Sequence, residues 1–513
     1  MSGRAVPEVA RSEVVASEGV GPPVDLLVVG GGINGVGIAR DAAGRGLSVL
    51  LLERGDLAGA TSSASSKLIH GGLRYLEQYE FRLVHESLAE REVLLAAAPY
   101  IIRPLRFVLP VHEGLRPPWL LRLGLFLYDH IGGRKRLPAT RTVRRHRQPV
   151  FAPLADGYRL GFEYSDCWAD DARLVVVNAI DAQQRGARIQ PGWALTAARR
   201  DRGLWLVDIK SHDGEQRTIR ARALVNAAGP WVEDILRAAG AHRHRSLRLV
   251  KGSHIIVRRL YEGPQAYTLQ NADGRVVFAI PYEDDFTLIG TTDIPFTGDP
   301  AGVHVDGTEV TYLCGLISGY LKTPVTPKDV VWNYSGVRPL YDDGGVSAST
   351  VTRDYVFDLD AAAGQAPLLS IFGGKLTTYR RLAEHALSKL LPVLEVSARP
   401  WTRGAILPGG DIPRGDLESF TAEQLRGHDF VPPRLIRRLC RSYGTRVERI
   451  LGGARKLSDL GAEIAPGVYE AELNLMRLEE WARTGDDALW RRSKVGLHLD
   501  ALARERVKAW FGG

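Results

Sequence analysis

Gly30-Gly31-Gly32-Ile33-Asn34-Gly35 has the spacing GxGxxG, and Glu53 follows eighteen positions after its last glycine. This pattern suits a turn that receives a dinucleotide. A glycine at 30 permits a tight turn, one at 32 lets backbone approach a pyrophosphate, and one at 35 lets a helix pack on a strand. A helix starting here points free amides and the positive end of its dipole at the phosphates. Asn34 sits inside that turn. Glu53 can accept hydrogen bonds from ribose hydroxyls, which favours FAD or NAD over NADP.

Three further stretches weigh between these two, because an extended flavin draws contacts from distant parts of the chain. The first is Ala60–Lys67, rich in hydroxyls, with Thr61, Ser62, Ser65 and Lys67 as candidates. It leads into His70-Gly71-Gly72-Leu73-Arg74-Tyr75. The second is Asn226–Trp231, with Gly229 and Trp231. The third is Phe372–Thr378, with Gly373, Gly374, Lys375, Leu376 and Thr377. A helix N-terminus at this third place suits negative charge on the N1/C2=O side of a reduced flavin. Together the three point to FAD.

The elements that must position these residues are legible in outline. Val24–Val29 and Leu47–Glu53 are apolar runs of the kind buried in parallel sheets. Between them a helix over about 35–43 ends at Gly44 and Gly46. Ala223–Ala227 and Leu368–Phe372 are two more buried strands, each running into a glycine turn. His254–Val257, Val276–Ile280 and Phe286–Ile289 predict an antiparallel sheet in a second domain. A helix spans about 82–98, and Trp119–Tyr128 (WLLRLGLFLY) reads on its own as a core helix, with an interfacial helix as the alternative. After about Trp401 the texture becomes helical and rich in arginine.

A length of 513 residues suggests about three domains at about 150 residues each. Apolar residues at 45% and charged residues at 25% are ordinary globular values. The net charge of +8 is compatible with nucleic acid, an anionic membrane surface or a phosphorylated substrate. The chain carries no RNP or KH pattern, and its basic runs lack interleaved aromatics, which argues against nucleic acid. Cys167, Cys314 and Cys440 form no CxxC pair and no disulfide framework, which fits a reducing compartment. Residues 1–23 lack the apolar core of a signal peptide and read as a flexible tail. No 18-residue apolar stretch predicts a membrane-spanning helix.

At this point the chain resembles a known family. GGGINGVGIARDAAGRGLSVLLLE, ATSSASSKLIHGGLRYLEQYEFRLVHESLAEREVLL, GFEYSDCWADDARLV, VNAAGPWV, LVKGSHI, YSGVRPL, TRDY and FGGKLTTYRRLAEHAL look like the FAD-dependent, quinone-linked glycerol-3-phosphate dehydrogenases. The resemblance runs from about Val24 to the C-terminus. It implies a fold of the D-amino-acid-oxidase type, with a Rossmann-like FAD domain, a substrate domain with a mainly antiparallel sheet, and a C-terminal helical cap. The expected FAD-domain pieces are about 24–95, 160–235 and 335–400; the substrate domain covers about 96–159 and 236–334, and the helical domain 401–513. The resemblance further implies oxidation of glycerol 3-phosphate to dihydroxyacetone phosphate, with electrons passed to ubiquinone or menaquinone. Oxygen as acceptor, in an oxidase, is the alternative. It also implies a homodimer attached peripherally to the cytoplasmic face of the membrane.

That reaction needs cations for the phosphate and a group to take the hydroxyl proton. Arg338 in SGVRP and Arg353 in TRDY are the expected phosphate or polyol ligands, since the guanidinium fork binds phosphate bidentately. Arg74 and Tyr75 are further substrate-facing candidates. Lys375 is expected at the flavin or the substrate oxygen. His254 and His70 are both candidates for the proton, each with an ordinary pKa of about 6.5. Two basic runs, one from Arg134 to Arg147 beside Trp119–Tyr128 and one from Arg434 to Arg449, are the candidates for lipid contact.

Overall fold

The computed structural model describes residues 21–73, 76, 79–133, 136–242, 245–271, 275–342 and 354–512. Its first stretch contains β1 (Val24–Val29), α1 (Ile33–Gly44), β2 (Val49–Glu53), β3 (Leu68–Ile69), α2 (Phe81–Ala97), β4 (Ile102–Val111), α3 (Pro118–Ile131), β5 (Arg141–Arg144) and β6 (Leu160–Ala169). The middle contains α4 (Asp171–Gln184), β7 (Arg188–Pro191), β8 (Trp193–Asp201), β9 (Leu204–Ser211), β10 (Gln216–Asn226), α5 (Val232–Ala238), β11 (Leu247–Arg258), β12 (Ala266–Gln270), β13 (Val276–Tyr282), β14 (Phe286–Gly290) and β15 (Ile294–Pro295). Then follow α6 (Gly307–Tyr320), β16 (Val330–Tyr341), β17 (Val356–Asp360), β18 (Leu368–Phe372) and α7 (Tyr379–Val393). The C-terminal region is mainly helical, with α8 (Leu417–Gly427), α9 (Pro433–Tyr443), α10 (Glu470–Glu479) and α11 (Ala501–Gly512).

One sheet has the order β17-β18-β10-β1-β2-β7, and the β8–β9 meander hangs from β10. Its central pairs, β18–β10, β10–β1, β1–β2 and β2–β7, are parallel. β1 and β2 are apolar on both faces because helices cover one side and the meander covers the other. α1 packs between α4 and α7, and the buried Arg40–Asp181 ion pair ties it to α4.

The second sheet has the order β15-β11-β14-β13-β12-β4-β6-β3, with β16 paired to β11 and β5 to β6. It is antiparallel except for the β12–β4 pair. Residues 160–169 and 330–341 lie in this sheet, as β6 and β16. Residues 160–169 and 335–341, within the expected FAD-domain pieces 160–235 and 335–400, thus pair in the second sheet.

α3 departs from its expected core placement. Leu121, Leu125 and Tyr128 are buried at helical spacing, but Trp119, Leu123, Phe126 and Leu127 are exposed on the opposite side. The helix is apolar around most of its circumference, and only one stripe is covered.

Candidate active site

β1 ends at Gly30, whose φ of +115° few other residues tolerate. A Cβ at Gly30 would lie 2.4 Å from the Ala227 carbonyl oxygen, and one at Gly35 only 1.9 Å from that of Gly30. The turn therefore closes on backbone at both ends. Val36 N donates to Gly32 O (3.0 Å), and the N-cap residue Gly32 has no side chain to cap α1, whose first amide goes to Ser62 instead. The first-turn amides thus favour an anion. Gly31 and Gly55 donate backbone N–H bonds to Glu53 (2.7 and 2.8 Å). Burial raises the Glu53 carboxyl above its ordinary value against the pull of these amides. Arg54 stacks its guanidinium over Trp231 at 3.9 Å, near the Gly229 turn. Arg54 was missed in the sequence; its place next to Glu53 was the available signal.

The hydroxyl-rich loop presents chiefly its backbone, because its side chains are spent on holding it. Thr61 Oγ1 donates to Val337 O (2.6 Å), and Ser62 Oγ accepts from Ile33 N (3.0 Å). Ser65 Oγ donates to Asp171 (2.7 Å). Lys67 Nζ, buried, binds both carboxylate oxygens of Asp171 at 2.8 and 2.9 Å. The Lys67 ammonium is therefore engaged inside the fold, on Asp171 and the Ser63 carbonyl. Asp171 is the anchor that the sequence reading overlooked, although it lies within a quoted motif.

Around this loop the two sheets meet. Tyr334 OH on β16 donates to Ser65 O (2.8 Å), and its ring stacks on His254 of β11 at 4.8 Å. His254 Nε2 pairs with Ser66 Oγ (2.9 Å), while Nδ1 is buried without a partner. Burial first, then the nearby Arg338 and Lys67, pushes the imidazole pKa well below its ordinary value, so His254 is neutral at pH 7. Arg338 is ion-paired with Asp293 and donates to Thr291 Oγ1 (3.0 Å). On the other side Lys375 Nζ donates to His70 O (2.8 Å) and Ser87 Oγ (3.3 Å). Thr377 Oγ1 bonds the His70 backbone at both N and O (3.3 Å each). Gly71 N donates to Tyr128 OH (2.8 Å), which in turn donates to the buried Asp166. Gly72, Gly373 and Gly374 all have positive φ, and Asn34 Nδ2 reaches Gly373 O (3.4 Å). The fingerprint helix thus touches the late loop directly. Arg74, Tyr75 and Arg353 lie outside the described residues. Asp354, the sequence neighbour of Arg353, is ion-paired with Arg82.

Residues 25–380 match the family model described as FAD dependent oxidoreductase. The chain is 51% identical over 490 residues to the aerobic glycerol-3-phosphate dehydrogenase of Escherichia coli (strain K12), covering 95% of this chain and 97% of that one. This chain belongs to the FAD-dependent glycerol-3-phosphate dehydrogenase family. Another relative of the family, the D-erythritol 1-phosphate dehydrogenase of Brucella abortus (strain 2308), is 51% identical over 489 residues with the same coverage of both chains. The solved glycerol-3-phosphate dehydrogenase from Bacillus halodurans, complexed with FAD, superposes with a TM-score of 0.76 at 26% identity, covering 96% of this chain and 91% of that one.

The residues present fit the family's cofactor. Asn34 Oδ1 is buried and unpartnered beside Gly374, the start of α1 lies against Ser62 of the hydroxyl-rich loop, and Thr377 in the helical turn at Leu376–Thr378 contacts His70. Gly30, Gly32 and Gly35 would leave backbone for a pyrophosphate to approach, Glu53 at the end of β2 would face a ribose, and Lys375 would put positive charge beside the Gly373-Gly374 turn.

Proposed function

We propose that this enzyme oxidises sn-glycerol 3-phosphate to dihydroxyacetone phosphate and hands the electrons to a membrane quinone. The observation that carries this reading is the grouping of Arg338, His254, Lys375 and His70 around the loop that joins the two sheets, in a chain about half identical to named glycerol-3-phosphate dehydrogenases. Bound FAD supplies the acceptor for the hydride from C2. Arg338 holds the phosphate through its guanidinium fork, with Asp293 and Thr291 fixing its orientation. Lys375 places a cation beside the His70 loop. The alcohol proton goes to an imidazole: His254, kept neutral beside Arg338, or His70, whose carbonyl Lys375 grips. Asn34, Gly71, Gly72, Gly229, Leu376 and Thr377 complete the flavin's surroundings.

The Brucella relative favours a second substrate reading, D-erythritol 1-phosphate, in which the same arginine would hold the phosphate of a longer polyol. Anaerobic titration of the flavin-loaded enzyme separates the two. Glycerol 3-phosphate is expected to bleach the flavin band at lower concentration than D-erythritol 1-phosphate, with no bleaching by D-amino acids. The reverse order would overturn the substrate assignment. Turnover under air with peroxide released, and no gain from a soluble quinone analogue, would overturn the acceptor.

For the quinone the enzyme must reach a bilayer, and we assign that contact to α3. No helix among the described residues is long and apolar enough to cross a membrane. α3 instead offers Trp119, at 69% exposure, with Leu123, Phe126 and Leu127, a surface that suits insertion among headgroups. The second basic run is a poorer candidate, since the charge of every arginine in it but Arg437 is matched internally. Arg434 pairs with Asp285, Arg438 with Glu472, Arg441 with Asp284, and Arg446 and Arg449 with Glu479. In the first run Arg145 is spent on the carbonyls of Leu154, Ala155 and Tyr158 and on Asp156. Trp119→Ser/Phe126→Ser should therefore lose flotation with anionic liposomes, whereas Arg437→Gln/Arg449→Gln should float like the parent. Unchanged flotation of the α3 variant would reject this assignment.

A further inference from the structure

A cavity of about 1740 Å³ lies between the second sheet and the C-terminal helices, and none of the residues proposed for flavin or substrate lines it. Cations predominate on its wall. Five of the ten arginines and lysines have an acid of their own, among them Arg441 with Asp284, Arg438 with Glu472 and Lys494 with Asp170. Arg103 does not. It projects from β4, and its guanidinium lies over the Trp168 indole at 4.3 Å. Its Nε is fully enclosed with no hydrogen-bond partner, and no carboxylate among the described residues pairs with the group. Burial and the nearby Arg441 lower its pKa to about 10, so it is still a cation at neutral pH.

Arg103 as a whole is half-buried, but a guanidinium nitrogen enclosed without a partner is costly and calls for an explanation. Glu283 faces Arg103 from the turn after β13, but no ion pair forms between them. Burial and Asp170 raise the Glu283 carboxyl, which weakens it as a competitor for the arginine. Arg437, exposed on α9, contributes a second cation on the cap side of the same cavity. The indole fixes the plane of the Arg103 fork, which suits a planar, two-point grip on an oxyanion.

We propose that this cleft is a second anion site, which takes a small phosphate-bearing molecule between Arg103 on the sheet and Arg437 on the cap. Its floor is continuous with the flavin loop. Trp168 pairs with Leu68, the residue after Lys67, and Lys494 holds Asp170, the neighbour of the Asp171 anchor.

Calorimetry of the flavin-loaded, full-length enzyme with inorganic phosphate at fixed ionic strength tests this. The wild type should bind two phosphates per chain, and Arg338→Ala should keep one of them. Arg103→Gln should weaken that remaining site at least tenfold, and Arg437→Gln several-fold. Arg437 is exposed, so its variant reads the site even if Arg103→Gln folds poorly. No phosphate bound by Arg338→Ala, or isotherms unmoved by both cleft substitutions, would overturn the proposal. Failure of the substrate reading would appear instead as an Arg338→Ala isotherm equal to that of the wild type.

Discussion

Arg338→Ala is expected to retain its flavin and to lose about 2–4 kcal/mol of transition-state binding. In rate terms kcat/KM falls roughly 30- to 1000-fold, chiefly through KM. The size follows from what is removed. The guanidinium is a charge-assisted donor, held by Asp293 and Thr291 on the second sheet. Without it, Asp293 is left facing the substrate phosphate with its charge less compensated, which adds repulsion to the lost contact. Arg338→Lys should recover only part of the loss, because an ammonium restores charge but not the fork. Flavin content should hold, because Asp293 and Thr291, which hold the side chain, lie between β14 and β15 of the second sheet. Steady-state kinetics beside the flavin absorbance ratio check both halves; parental kcat/KM would remove Arg338 from the phosphate site.

Glu480→Ala should destabilise the fold by about 3–5 kcal/mol. Glu480 and Arg173 are wholly buried, the acid following α10 and the arginine on α4. The Glu480 carboxylate also accepts from Arg446 (3.0 Å), and its backbone carbonyl accepts from Arg492 (2.7 Å). Deleting the carboxylate strands buried cations at the seam between the helical cap and the nucleotide sheet. Burial works to raise the Glu480 carboxyl, but Arg173 and Arg446 outweigh it and hold the group below its ordinary 4.5. Its contribution is therefore fully present above the unfolded value and is lost as pH falls through the lower folded value. Urea unfolding across pH should show an acid-side decline in the parent that Glu480→Gln flattens. An equal acid slope in both proteins would assign that decline to other carboxylates.

Local signals carried the fingerprint, because turn glycines and apolar runs state their own geometry. The ends of β1, β2, β10 and β18 were found from four to six apolar residues beside a glycine turn. Partnerships across the chain were not legible. Nothing near Lys67 announces Asp171, and nothing near Arg173 announces Glu480, 307 positions away. The C-terminal arginines looked like a positive surface because their acids come from other segments, Asp284 and Asp285 among them. α3 was read as a core helix over the interfacial alternative for a different reason. A decapeptide that is apolar all round has no polar stripe to show which side faces out. Of the chemical candidates, His254 and Arg338 were singled out by residue type and motif, and they lie on the neighbouring strands β11 and β16. Tyr334, which holds one edge of the loop, and Asp293, which aims the arginine, were missed because each acts only through a neighbour.

The strand order of the nucleotide sheet also constrains synthesis. β1 and β2 are made early, but β10 joins β1 only after residue 226, and β18 completes that flank only at Phe372. The loop that reaches Asn34 follows immediately. A ribosome must therefore release nearly three-quarters of the polypeptide before the flavin pocket can close. Until then the apolar edges of β1 and β2 wait without their partners, a long-range assembly that is slow and prone to aggregation. Chains stopped before β18 should emerge colourless, whatever the supply of flavin.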